Sequence, residues 1–159
     1  MDALELRRRI MELMDEYAPD GVTFEWDRAT RRFGCCHNRR NRFTGEVVPY
    51  KITISYPLAS RNSWEEVRKV VLHEIAHART AGHHHDEVWR RECLAIGGDG
   101  KRCYDSEEDG GNVVTLPKKY IGICPVCGRQ FPRSRRPRNS YHCDSRQLIN
   151  WKINPKFVA

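Results

Sequence analysis

The sequence predicts an α+β chain: a first domain built from helices around a small antiparallel sheet, followed by a small basic module. Three observations carry this. Apolar residues recur at helical spacing in the first seventeen positions, alternating strand-like runs follow, and an amphipathic helix with a capping signature starts at Ser63. The module is set off by charge. Residues 1–117 hold 18 Lys and Arg against 20 Asp and Glu, whereas residues 118–159 hold 10 against the single Asp144. We place the domains at 1–112 and 113–159, joined through the acidic run DSEEDGGN (105–112), which has no apolar content.

The opening helix is expected over about Ala3 to Tyr17, with Leu6, Ile10, Leu13, Met14 and Tyr17 on one face and Pro19-Asp20-Gly21 ending it. Strands are expected at VTFEW (22–26), RRFGCC (31–36) and YKITISY (50–56). HNRRNRFTGEV between the last two reads as an exposed loop. Ser63-Trp64-Glu65-Glu66 fits a capping box, and the helix it opens should run to about Ala81, with Val67, Val70, Val71 and Ile75 facing the core.

That helix carries His73-Glu74-Ile75-Ala76-His77. Histidines at i and i+4 project from one face and can share an ion, and a glutamate beside the first can hold a water without taking a ligand position. The chemistry implied is zinc-assisted hydrolysis, with Glu74 as the base and peptide bonds as the usual target. The third ligand is open at this point. A metzincin pattern would select His83, but it demands glycine where Thr80 stands and a downstream methionine, and every methionine lies at or before Met14. Glu87 and Glu92 are nominal candidates. His85 precedes Asp86-Glu87-Val88-Trp89, which reads as a capped helix start, so His85 fits best and His83 next.

With His73, Glu74, His77 and then His85-Asp86-Glu87-Val88-Trp89, the chain resembles the SprT-like family. Its members carry HExxH on one helix and a third histidine in an H-G-x-x-aromatic stretch opening the next; Asp86 replaces the usual glycine. Ser55-Tyr56-Pro57-Leu58 is similar to the family's Ser-x-x-Leu stretch before the active helix. The resemblance implies a zincin-like minimal metallopeptidase fold and one catalytic Zn2+ on His73, His77 and His85. The implied substrate is protein associated with or crosslinked to DNA. It also implies a β-rich zinc ribbon of two Cys-x-x-Cys knuckles in the C-terminal module. Cys124-Pro125-Val126-Cys127-Gly128 copies the first knuckle, but in Cys143-Asp144-Ser145-Arg146 an arginine stands where the second cysteine belongs. A second, structural ion would therefore rest on Cys124, Cys127 and Cys143, with His142 or Cys103 as fourth ligand; the alternative is a metal-free ribbon.

Seven cysteines cannot all pair internally, so they read as reduced or metal-bound, with Cys35, Cys36 and Cys93 as small buried residues. The N-terminus lacks a signal peptide's uncharged core and no run reaches the roughly 20 apolar residues of a membrane span. The expected compartment is cytoplasmic, at the nucleoid in a bacterial host, with a viral source also open. The basic module points to DNA bound without sequence preference, single-stranded regions included, through Arg129, Arg133, Arg135, Arg136 and Arg138. Two other functions remain open on sequence alone: a nucleic-acid-binding protein with a structural or idle zinc site, and a regulatory protease cleaving a specific protein such as a repressor.

Overall fold

A computed structural model describes residues 1–104 and 111–157, and the chain divides into two compact units, Met1–Thr115 and Leu116–Ala159. The acidic run expected as a connection lies, over 105–110, outside the described residues. The first unit extends to Thr115 because the Asn62 side chain clamps Val114, accepting from its N–H (2.7 Å) and donating to its carbonyl (2.9 Å), while Val113 is buried.

The first unit is mixed α and β. Helix α1 (Ala3–Tyr17) starts where Asp2 accepts from the Glu5 amide, and it buries Leu6, Ile10, Leu13 and Met14 as its periodicity requires. Strands β1 (Thr23–Asp27), β2 (Gly34–Arg40) and β3 (Val47–Ser55) form one sheet in the order β1-β3-β2. β2 pairs antiparallel with β3, but β1 pairs with β3 in parallel, which corrects the expected all-antiparallel sheet. The physical reason lies in the polar side chains of β3. Thr53 donates to the Asp27 carboxylate (2.9 Å), Ser55 Oγ donates to the Ala29 carbonyl (2.6 Å), and the Ser55 amide donates to the Phe33 carbonyl (2.8 Å). These bonds pin the segment after β1 across the end of β3, so β2 lands on the far side instead of forming a hairpin with β1. Ile52, Thr53, Ile54 and Ser55 are accordingly all buried, as suits a central strand.

The stretch expected as an exposed loop is also corrected. β2 continues through Arg40, and β3 starts at Val47, leaving a short turn in which the Asn41 side chain accepts from the Phe43 and Thr44 amides.

Ser55 then caps α2 (Tyr56–Ala59), accepting from the Leu58 amide, which gives the Ser-x-x-Leu stretch its physical role. α3 (Trp64–Arg79) opens on Ser63, whose hydroxyl accepts from the Glu66 amide (3.3 Å), and it ends two residues before the expected Ala81. Its apolar face, with Val67, Val71, Leu72 and Ile75 fully buried, lies against α1 and the sheet. α4 (Glu87–Ala95) starts where Asp86 accepts from the Trp89 amide.

The second unit is a three-stranded antiparallel sheet of β4 (Tyr120–Ile123), β5 (Gln130–Arg133) and β6 (Asn150–Ile153), in the order β5-β4-β6. So small a sheet has little to bury: its core is Cys124, Cys143 and Ile149, with Phe131 and Trp151 packed against them.

Candidate metal centre

One helical repeat and one helix start assemble the site. The i, i+4 spacing on α3 brings His73 Nε2 and His77 Nε2 to 3.2 Å, and the capped start of α4 delivers His85 Nε2 to 3.0 Å from the first and 3.1 Å from the second. Each imidazole rests against the buried Trp89 ring, at centroid distances of 4.7, 5.2 and 4.6 Å for His73, His77 and His85. Trp89 thus supplies a rigid floor from the first turn of α4. Three Nε2 atoms converging from three rings cannot satisfy one another as hydrogen-bond partners, because each is either an N–H donor or a lone-pair acceptor and at least one edge of the triangle must pair like with like. They form a group able to hold a metal ion.

His83 is held elsewhere, its Nδ1 lying 2.8 Å from Asp86 Oδ2, and His84 is exposed. Glu92 pairs with Arg79, and neither it nor Glu87 belongs to the cluster. Of the candidates raised by the sequence, the structure brings His85 to the pair on α3.

Burial lowers the His73 pKa to about 4, with the nearby His85 adding to the effect, and lowers that of His77 to about 3, helped by His73 and His85. His85 is lowered too, by burial and then by Arg102. All three rings are therefore neutral at pH 7, the form that offers a lone pair to a cation. Glu74 is buried on the same helix, and this burial raises its carboxyl to about 7 against the opposing pull of the Cys36 amide and Arg32. A group poised there can take up and release a proton near neutrality.

Two cavities, of about 650 and 630 Å³, share Gly34, His73 and Glu74 in their walls. One extends past Phe33, Val70 and Tyr104; the other runs along the edge strand β2 past Cys36, Asn38 and Arg40 to the His83–His85 loop. Cys35 and Cys36, expected as buried, are half-buried and line this second cavity, while Cys93 is fully buried. Cys103 is exposed in the first unit, where it lines the larger cavity.

A model of the SprT-like family matches residues 4–108, which spans α1 through α4 and holds the three histidines and Glu74. The chain belongs to the SprT-like family. No curated protein and no solved structure matches it. The SprT-like family is metallopeptidase-like, and the histidine cluster is compatible with that character.

In the second unit, beyond the SprT-like match, Cys124, Cys127 and Cys143 are brought together as a second group able to hold an ion. His142 is exposed, bridges to Leu148 through its backbone, and is not part of this group. Arg129 is paired with Asp144 at 2.8 Å and lies over Phe131, whereas Arg133, Arg135, Arg136 and Arg138 are exposed. Phe131 and Trp151 are committed to the core; Tyr141 stays exposed, with Arg133 over its ring.

Sequence reasoning missed Gly34 and the Cys36 amide as the surroundings of Glu74. A glycine within a strand pattern does signal close approach of another group, so Gly34 was readable in principle. The Cys36 amide was not, because a backbone donor leaves no trace in residue type.

Proposed function

We propose that this chain is a zinc-dependent metallopeptidase with His73, His77 and His85 as zinc ligands, Glu74 as general base, and DNA-associated or DNA-crosslinked proteins as substrates. The observation that carries the reading is the triangle of imidazole nitrogens with edges of 3.0–3.2 Å beside a buried carboxylate. Zinc–nitrogen bonds of about 2.0–2.1 Å at tetrahedral angles require nitrogens about 3.3 Å apart, so the donor set fits with small adjustments. Bound there, zinc would supply Lewis acidity, polarising water and the scissile carbonyl.

The remaining steps belong to the protein. Glu74, buried and with a carboxyl raised towards neutrality, accepts the proton from the attacking water and can return it to the leaving amine. β2 is an edge strand, and a substrate in extended form can add to such an edge, which suits a peptide bond as the target. Trp89 and the Asp86 cap keep the imidazoles in place, so the site is organised before substrate arrives. The DNA link draws on the positive balance of residues 118–159 and the exposed arginines there.

The test incubates the zinc-loaded protein with a DNA-crosslinked protein and with the same protein free, alongside Glu74→Gln. We expect cleavage confined to the crosslinked form, with the Gln variant retaining zinc and losing about 10²-fold or more in rate. Equal cleavage of both substrates would favour a regulatory protease, and zinc binding with no cleavage at all would favour an idle site in a nucleic-acid-binding protein. A Gln variant as fast as wild type would remove Glu74 from the mechanism.

A further inference from the structure

The two cysteine turns of the second unit can be aligned by their hydrogen bonds instead of by residue count. In the first, the Gly128 amide donates to the Cys124 carbonyl (3.0 Å), the Cys124 amide donates to the Arg129 carbonyl (3.1 Å), and Gly128 has φ 69°. In the second, the Arg146 amide donates to the Cys143 carbonyl (2.7 Å), the Cys143 amide donates to the Gln147 carbonyl (3.1 Å), and Arg146 has φ 57°. The pattern is the same, but the second turn is one residue shorter. Arg146 therefore occupies the position of Gly128, not that of Cys127. It is the one non-glycine residue with positive φ among the described residues, a conformation an arginine adopts only under constraint.

The residue before the left-handed position is Cys127 in the first turn and Ser145 in the second. Ser145 Oγ lies 3.4 Å from Cys124 Sγ, and Cys127 Sγ lies 3.3 Å from Cys143 Sγ. With zinc–sulfur bonds of about 2.3 Å and zinc–oxygen bonds of about 2.0 Å, a tetrahedral site needs a sulfur–oxygen edge of about 3.5 Å, which the Cys124–Ser145 pair already provides.

Given a soft divalent cation such as zinc on the thiolates of Cys124, Cys127 and Cys143, the ribbon ion that the resemblance implies, we propose that the Ser145 hydroxyl stands at its fourth corner, in place of His142, Cys103 or the counted position of Arg146. Three thiolates select a soft ion. A hydroxyl is a weaker donor than a thiolate, and Ser145 is exposed, so the fourth corner is the exchangeable one. The ion ties the turn before β5 to the turn before β6. It thereby brackets the arginine-bearing segment 133–138 between two fixed ends. The proposal is independent of the peptidase reading, since the two clusters share no residue.

Cobalt substitution of the full-length protein under a non-thiol reductant tests it. Thiolate-to-cobalt charge transfer in the near ultraviolet reports the cysteine site alone, because three imidazoles give no such band. We expect the band in wild type. In Ser145→Cys it should rise by about one third as three thiolates become four, and zinc should bind on the order of tenfold more tightly in chelator competition. Arg146→Cys, the change that residue counting would favour, should alter neither, and Cys143→Ser should weaken the band. No charge-transfer band in wild type would overturn the second site. Tightening by Arg146→Cys, or none by Ser145→Cys, would overturn the fourth corner.

Discussion

Glu74 keeps its place partly through what Gly34 lacks. A Cβ built on Gly34 would stand 2.7 Å from both Cγ and Oε1 of Glu74, closer than non-bonded atoms approach. The glutamate has little room to give, since it is buried on α3, with the Cys36 amide of the same strand acting on its carboxylate. Gly34→Ala should therefore push the carboxylate aside without moving a histidine. Displacement of a catalytic group by about 1 Å costs on the order of 10²-fold in rate, so peptide cleavage should fall by about that factor while zinc content stays at the wild-type level. Cleavage kinetics paired with metal quantification check it; a wild-type rate would show that β2 yields, and loss of the metal would show that the histidines depend on Gly34.

At the scale of elements, one carboxylate organises the approach to α4. Asp86 Oδ1 accepts from the Trp89 amide at 3.0 Å, and Oδ2 lies 2.8 Å from His83 Nδ1, so the same side chain starts the helix and holds His83 away from the cluster. Asp86→Ala should cost about 1 kcal/mol of stability through the lost cap. It should also weaken metal affinity by about tenfold, because the loop that aims His85 loses its anchor. Thermal melting and chelator competition measure the two effects, and unchanged affinity would mean that Trp89 packing alone aims His85. Caps of this kind were legible in the sequence at Ser63 and Asp86, since a cap depends on residues three apart. So was the pairing of His73 with His77, which helical geometry dictates. The sheet was not, because the parallel pairing of β1 depends on Thr53 and Ser55 gripping residues 26 positions earlier in the chain. Ser145 escaped for another reason: a fixed Cys-x-x-Cys count cannot register a turn that has lost one residue.

Across the whole molecule, charge separates two kinds of surface. Residues 1–117 are close to balanced, and residues 118–159 carry the positive excess. Within that segment Arg129 is neutralised locally by Asp144, while Arg133, Arg135, Arg136 and Arg138 are exposed cations clustered in sequence, with Arg133 over the Tyr141 ring. They lie at the end of β5 and in the segment after it, a stretch containing Pro132 and Pro137 and no helix, so contact with phosphates suits it better than insertion into the major groove. Tyr141 is the exposed aromatic placed to stack on an unpaired base. We therefore expect DNA binding with little sequence preference and some preference for single strands, weakening by roughly 10³-fold between about 50 and 200 mM salt if six phosphates are neutralised. Replacing Arg133, Arg135 and Arg136 with alanine should weaken binding to all sequences alike and flatten the salt slope by up to three contacts, with zinc content unchanged. Fluorescence anisotropy over a salt series measures both. A salt-insensitive affinity, or a slope that survives the triple substitution, would move the DNA contact off this segment and leave its charge without that role.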